Sequence, residues 1–122
     1  MTPFGVARFS KPARQAISGY LPKFPFARVD AEYLRVKSPS AEVQGHSAEE
    51  RKTVPGKREV GIIEVLPVGN YAVRLVFDDM HSTGIFGWDY LLELGRNYAA
   101  YWQDYLDELA AKNLTRDPPV RH

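Results

Sequence analysis

The stretch that decides the fold reads Val60-Gly-Ile-Ile-Glu-Val-Leu66, Pro67-Val-Gly-Asn70 and Tyr71-Ala-Val-Arg-Leu-Val-Phe77. β-branched and aromatic residues dominate the first and last pieces, and the Gly-Asn pair between them is typical of a turn. In the last piece every second residue from Tyr71 onward is apolar, which is the pattern of a strand with one face on a core. The sequence therefore predicts an antiparallel hairpin.

A third strand follows the hairpin. Asp78–His81 predicts a second turn, and the chain returns through Ser82–Phe86. Three consecutive antiparallel strands make a meander. The predicted fold class is therefore α+β, a small twisted antiparallel β-sheet (meander) with C-terminal helices packed on it.

The C-terminal third predicts the helices. Trp88–Leu94 predicts a short helix that ends at Gly95, because glycine accepts the C-cap conformation. Asn97 is predicted to cap a second helix through about Lys112. Apolar residues at helical spacing form a broad stripe: Leu94, Tyr98, Tyr101, Trp102, Tyr105, Leu106 and Leu109. We predict that the stripe is mostly core, with a part free for a partner or for a homodimer.

Upstream of the hairpin the elements are shorter. Tyr33–Val36 predicts a short strand, and the Ser-Pro-Ser around Pro39 predicts a turn that closes it. Residues 44–59 predict a polar, exposed loop, within which Ser47–Glu50 has the form of a capping box.

Charge divides the chain at about residue 30. Met1–Val29 holds five basic residues and no acid, which leaves 16 − 5 = 11 basic against 15 acidic residues from Asp30 onward. We predict a basic, Pro-rich and partly ordered segment at 1–29, a domain at 30–113 and a flexible tail at 114–122. The composition of the first segment fits either a basic tail or an organelle transit peptide.

Composition also excludes several classes. The chain has no cysteine, so it offers no disulfide, thiolate zinc site or iron–sulfur cluster ligand. Its apolar runs fall short of the roughly 20 residues that span a bilayer. The acidic balance from Asp30 onward disfavours nucleic acid as a partner. We expect a cytoplasmic, single-domain protein without a cofactor.

Three motifs resemble those of the gamma-butyrobetaine hydroxylase-like N-terminal domain family. They are Leu34-Arg-Val-Lys-Ser-Pro-Ser-Ala-Glu-Val-Gln-Gly-His46, Lys57-Arg-Glu-Val-Gly-Ile-Ile-Glu64 and Phe77-Asp-Asp79. With Trp88-Asp-Tyr-Leu91, the resemblance covers about Glu32–Gly95. It implies a small, predominantly β domain that occurs as a stand-alone bacterial protein of unknown function. It also implies relatives within 2-oxoglutarate-dependent hydroxylases, or fused to P-loop ATPases of iron–sulfur cluster assembly.

Two family properties are not expected here. The hydroxylases' domain binds zinc through cysteines and a histidine, and this chain has no cysteine. Only about 27 residues follow Gly95, so we expect no hydroxylase domain and no hydroxylase activity. The family's acidic first hairpin is also missing, because residues 1–29 contain no acid.

Metal binding has one plausible ligand set, formed by His46 and His81 with Asp78 and Asp79. A catalytic metal generally needs three convergent protein ligands, and nothing in this spacing enforces convergence. The simpler hypothesis is that Asp78 and Asp79 form a turn whose carboxylates accept backbone hydrogen bonds.

The motifs for phosphate binding, serine hydrolysis and a catalytic carboxylate pair are incomplete. Thr53–Arg58 carries a glycine and two cations but lacks the spacing of a phosphate-binding loop, so a solvated basic loop is favoured. Ser38 or Ser40 with His46 would need an orienting acid to act as a hydrolase, and neither serine lies in a nucleophile elbow. Glu42 and Glu64 have no enforced proximity as a carboxylate pair.

We therefore predict a non-enzymatic accessory or interaction domain with a protein partner. Its contact surfaces are predicted at the loop 44–59 and the strip Asp78–Trp88. The residues of the predicted binding surface are Ser38, Ser40, Glu42, His46, Lys57, Arg58, Asp79, His81 and Trp88. The alternative is a small-ligand or metal-binding enzyme that uses His46, His81 and Asp79.

Overall fold

The structure is a computed structural model that describes residues 8–19, 30–39, 53–82 and 84–118. The elements in chain order are α1 Lys11–Ser18, α2 Ala31–Val36, β1 Ile62–Val68, β2 Ala72–Phe77, β3 Gly84–Gly87, α3 Trp88–Arg96 and α4 Tyr98–Ala111. The predictions on Ser40, Glu42, His46 and Ser47–Glu50 lie outside the described residues. In the described part, every helix is too short or too polar to cross a bilayer.

The three strands form one antiparallel sheet in the order β1-β2-β3, so the predicted meander is confirmed. Val65 lies opposite Leu75, and Val73 lies opposite Phe86. β1 runs through Val68, two residues beyond its predicted end, and the turn falls at Gly69. That glycine has a φ of 55°, a left-handed conformation that only glycine adopts without a steric penalty.

One face of the sheet forms the core. Val73, Leu75 and Phe77 are buried at alternate positions of β2, as the period-two pattern predicts. Tyr71 belongs to the same pattern but is 66% exposed, because it lies in the turn before β2. Leu91 and Leu94 of α3 pack against this face, so the predicted cover of the sheet by the C-terminal helices is confirmed.

The predicted strand at Tyr33–Val36 is wrong, because these residues belong to helix α2. Asp30 begins the helix with its carboxylate, which accepts a hydrogen bond from the backbone N–H of Tyr33 at 2.9 Å. All six residues of α2 are buried, so no period-two alternation exists here. Burial on every side of a short segment removes the pattern that would distinguish a strand from a helix.

The boundary between the C-terminal helices also differs from the prediction. α3 does not end at Gly95 but continues to Arg96, and Asn97 alone separates it from α4. The Asn97 side chain does not cap α4, since its Nδ2 donates to the carbonyl of Glu93 at 2.9 Å. Within the predicted stripe, Leu94, Tyr105 and Leu109 are buried, and the other four residues are half-buried.

The described part of the N-terminal segment contributes to the core, which the sequence analysis did not predict. Phe9 pairs with Ile62 in an isolated parallel bridge, and Ala13 and Ile17 of α1 are buried in the main core. Ser10 caps α1 by accepting a hydrogen bond from the Ala13 N–H at 3.1 Å. A proline in the first turn of this helix interrupts no hydrogen bond, because the N–H there has no helical partner.

Candidate functional site

Four of the residues named from the sequence come together, and a fifth, Arg35, joins them. We call Arg35, Ser38, Lys57, Asp79 and His81 the buried polar cluster. Arg35 lies in the last turn of α2 and Ser38 just after it, Lys57 lies in the loop before β1, and Asp79 and His81 lie in the turn between β2 and β3. The cluster therefore connects three segments that are far apart in the sequence.

Asp79 is the hub of the cluster. Its Oδ2 accepts hydrogen bonds from Arg35 Nε at 2.8 Å and from Lys57 Nζ at 2.6 Å. Its Oδ1 accepts from the backbone N–H of His81 at 3.2 Å. The predicted turn bond to the backbone is present. In the predicted basic loop Thr53–Arg58, Lys57 is not solvated, because its ammonium is engaged with Asp79 and its side chain is only 23% exposed, whereas Arg58 is exposed.

The electrostatics keep Asp79 ionised. Burial raises the pKa of its carboxyl, but the hydrogen bonds from Lys57 and Arg35 outweigh burial and hold that pKa below its ordinary value. The Arg35 guanidinium is nearly buried, and its Nη1 has no hydrogen-bond partner in the described parts of the chain. The carboxylate thus neutralises a buried cation and fixes the turn with its second oxygen.

Ser38 and His81 form the other half of the cluster. Ser38 Oγ lies 2.9 Å from His81 Nε2, and the two residues are 0% and 3% exposed. Asp79 bonds the backbone of His81, whereas the acid of a catalytic triad bonds the imidazole ring. With almost no solvent access, Ser38 and His81 are suited to holding the turn rather than to meeting a substrate.

The remaining residues of the predicted surface lie elsewhere or outside the described residues. The Arg58 side chain is 46% exposed and pairs with Asp117, and Trp88 is half-buried against the main core. Within residues 8–19, 30–39, 53–82 and 84–118, no three His, Cys, Asp or Glu side chains are grouped to hold a metal ion. The metal alternative depends on His46 and stays a prediction.

Sequence reasoning missed two features. Arg35 was quoted within a family motif but not as a site residue, although a cation inside the apolar run Tyr33–Val36 requires a buried acid as a partner. The second feature is an ion pair between Glu32 and Arg116, which are 84 residues apart. No local pattern connects two residues at that separation.

The family is established by comparison. Residues 25–92 match the family described as gamma-butyrobetaine hydroxylase-like, N-terminal. This match spans more than half of the 122 residues, so the chain belongs to that family, and the resemblance found over Glu32–Gly95 is confirmed. No curated protein matches the chain.

The chain is also similar to solved structures of other proteins. One structure solved by NMR is 49% identical, covers 76% of this chain and 73% of its own, and has a TM-score of 0.66. A second NMR structure is 45% identical over 77% of this chain and 70% of its own, with a TM-score of 0.63. A crystal structure of a DUF971 family protein of unknown function from Acidithiobacillus ferrooxidans ATCC 23270 is 45% identical over 55% of this chain and 64% of its own, with a TM-score of 0.45.

We predict that Asp79→Asn lowers the free energy of unfolding by about 3 kcal/mol at neutral pH, because it leaves the Arg35 cation buried without a counter-ion. The pKa of Asp79 is lower in the folded than in the unfolded state, so the stabilisation is complete above the unfolded value of about 3.9 and is lost as the pH falls through the folded value. Urea unfolding of both chains across the acid range measures this.

The stability gap between wild type and Asp79→Asn should therefore be constant above about pH 5 and close in stronger acid. Asp78→Asn is the matched control, since Asp78 is exposed in the same turn, and a change within about 0.5 kcal/mol is expected. A gap that persists unchanged through the acid range would show that the charge of Asp79 is not what stabilises the cluster.

We also predict that Gly84→Ala destabilises the protein by about 1–3 kcal/mol through overpacking. A Cβ at this position would lie 2.6 Å from Ser38 Oγ and 3.0 Å from Phe86 Cε1. Removing the hydroxyl in the double variant Ser38→Ala, Gly84→Ala should recover part of the loss, so the two changes are not additive. Thermal unfolding monitored by circular dichroism measures each variant.

Gly19→Ala is the control for this series, because its Cβ would meet only the carbonyl of Ala16 at 3.5 Å, an ordinary contact. It should change stability by no more than about 0.5 kcal/mol. Additive effects of the Ser38 and Gly84 substitutions would contradict the close approach of β3 to Ser38.

Proposed function

We propose that the protein is a non-enzymatic accessory domain of the cytoplasm that binds a protein partner, with the turn Asp78–His81 at the centre of its contact surface. The observation that carries this proposal is Met80. Its side chain is 93% exposed, and its backbone has a φ of 73°, in the left-handed region.

The left-handed backbone conformation of Met80 is enforced by the residues on either side of it. A non-glycine residue in the left-handed region is disfavoured by roughly 1–2 kcal/mol, and it persists when the surrounding structure enforces it. Here both neighbours of Met80 belong to the buried polar cluster, since Asp79 is paired with Arg35 and the His81 ring contacts Ser38. The cluster therefore holds the backbone of an exposed apolar residue in a fixed conformation.

The predicted strip Asp78–Trp88 carries a second exposed apolar side chain besides Met80. Methionine has a flexible, polarisable side chain and is enriched where proteins meet. Ile85 lies in the same predicted strip, Asp78–Trp88, and is 47% exposed on β3. Its neighbour across the sheet is the exposed Arg74. Apolar side chains beside a charged one suit a partner surface with an apolar centre and a polar rim.

The family supports a proposal for the partner. Because the chain belongs to the gamma-butyrobetaine hydroxylase-like N-terminal domain family, we propose components of iron–sulfur cluster assembly or of 2-oxoglutarate hydroxylases as partners. This part of the proposal is an analogy between relatives. The contact surface rests on Met80 independently of it.

A photo-crosslinking residue at position 80 tests the surface in cells that produce the protein naturally. We expect position 80 to capture a defined partner that position 103 does not, because Gln103 is exposed on α4, away from the turn in the sequence. Mass spectrometry identifies what is captured. Equal capture at both positions would contradict the proposal.

Met80→Asn separates binding from folding. Asparagine tolerates the left-handed region better than methionine, so the variant should be at least as stable as the wild type. It should nonetheless lose most of its partner capture when the crosslinker is placed at position 85, because the apolar contact is gone. Undiminished capture by a stable Met80→Asn chain would show that Met80 is not part of the contact.

A further inference from the structure

The C-terminal segment Leu114–Asp117 lies on the domain surface like a bound peptide. The backbone N–H of Gly56 donates to the carbonyl of Thr115 at 2.9 Å, and the N–H of Arg58 donates to the carbonyl of Arg116 at 2.9 Å. Leu114 packs against a small core of Val36, Tyr105 and Leu109. Backbone bonds with an apolar anchor are a common way in which a surface holds a short segment.

Arg116 supplies the most specific contact of this segment. Its Nε and Nη2 donate to the two carboxylate oxygens of Glu32 at 2.8 and 2.6 Å. The guanidinium also lies 5.0 Å from the centre of the Trp102 ring. The Glu32 side chain is only 8% exposed, so a nearly buried carboxylate and an aromatic face together form a receptor for a guanidinium.

The hydrogen bonds with Glu32 raise the pKa of Arg116 above its ordinary value. The guanidinium is therefore charged at every relevant pH, as a cation receptor requires. Trp102 is itself held by a stacked contact with Tyr98, whose ring is inclined by 8° to the Trp102 ring. The receptor for the guanidinium is thus built from packed side chains of the domain.

The next residue of the segment, Asp117, forms an ion pair with Arg58. Asp117 Oδ1 accepts from Arg58 Nε at 2.5 Å, and these side chains are 66% and 46% exposed. An ion pair this exposed contributes little to stability, so a carboxylate of another chain can readily replace Asp117. A cavity of about 340 Å³, lined by Glu32, Trp102 and Arg116 among others, adjoins the guanidinium.

We propose that this surface is a peptide-recognition site for an arginine followed by an acidic residue in a partner protein, and that the chain's own Arg116 and Asp117 occupy it in the absence of the partner. The charge complementarity argues for this occupant, because Glu32 and Trp102 fit a guanidinium and Arg58 fits a carboxylate. The site goes beyond the proposed function, since it uses other residues than the turn Asp78–His81 and is tested without them.

Because the chain's own segment occupies the site, a free peptide has to compete with it. A short tether gives an attached segment an effective concentration on the order of millimolar. A free peptide at micromolar concentration therefore competes poorly with residues 114–117 of the wild-type chain. Weakening the attached segment should uncover the site.

The test uses the full-length chain with Arg116→Met and Asp117→Asn together, which removes both side-chain anchors and keeps the alkyl stem over Trp102. The probe is a labelled peptide with the sequence Leu-Thr-Arg-Asp-Pro of residues 114–118, followed by fluorescence anisotropy. We expect this open variant to bind the peptide at least about tenfold more tightly than the wild type. The matched control is Arg96→Met with Asp89→Asn, exposed residues of α3, which should behave as the wild type.

Two further variants define the specificity. A peptide with alanine in place of its arginine should not bind, and Glu32→Gln in the open variant should reduce binding about tenfold or more, because a charge-assisted bidentate pair is lost. A folded open variant without saturable binding would overturn the proposal, as would equal binding of the alanine peptide.

A second measurement decides the case in which the open variant fails to fold. The wild-type chain is titrated with the same peptide to about 10 mM, well above the effective concentration of the tether, and the indole signals of Trp102 and Trp88 are followed by NMR. A saturable shift of Trp102 alone supports the site, and no shift overturns it. Dimerisation of the wild-type chain that competes with the peptide would assign the site to a second copy and overturn the partner assignment.

Discussion

The carboxylate of Asp79, shared between the Arg35 guanidinium and the Lys57 ammonium, is the interaction on which the structure depends. It joins the end of α2, the loop before β1 and the turn between β2 and β3. Without this acid, α2 would bury a cation with no counter-charge, and that is among the most unfavourable arrangements in a protein interior. The same carboxylate determines the path of the turn, because its other oxygen binds the backbone of His81.

The fold could be predicted from the sequence where a local residue pattern determines the element. The prediction failed where contacts with distant segments determine it. Alternating apolar residues in Ala72–Phe77 were enough to place β2 and the meander around it. Helix α2 was misread, because Tyr33 and its neighbours are buried on all sides and lose the alternation that separates a strand from a helix. The prolines of the N-terminal segment disfavour a long helix there. They do not exclude the eight-residue helix α1, because its proline lies in the first turn, where proline is tolerated.

The candidate site shows the same limit. Ser38, Lys57, Asp79 and His81 could be named from the sequence because their side chains carry chemistry. Their convergence could not be predicted, because it depends on how three separate segments pack. The burial of these side chains was not predicted by any residue pattern, and it favours a structural role over a catalytic one. Ser38 and His81 have almost no solvent access and position a turn.

Asp79 fixes the turn locally and thereby presents Met80 at the surface. Amide hydrogen exchange of Asp79→Asn against the wild type tests it most directly, because the Phe77 N–H donates to the carbonyl of His81 while the Trp88 N–H donates to Tyr71 at the other end of the sheet. We predict that protection at Phe77 and His81 falls at least about tenfold more than protection at Trp88. An equal fall at all three amides, or no fall at Phe77 and His81, would contradict the claim.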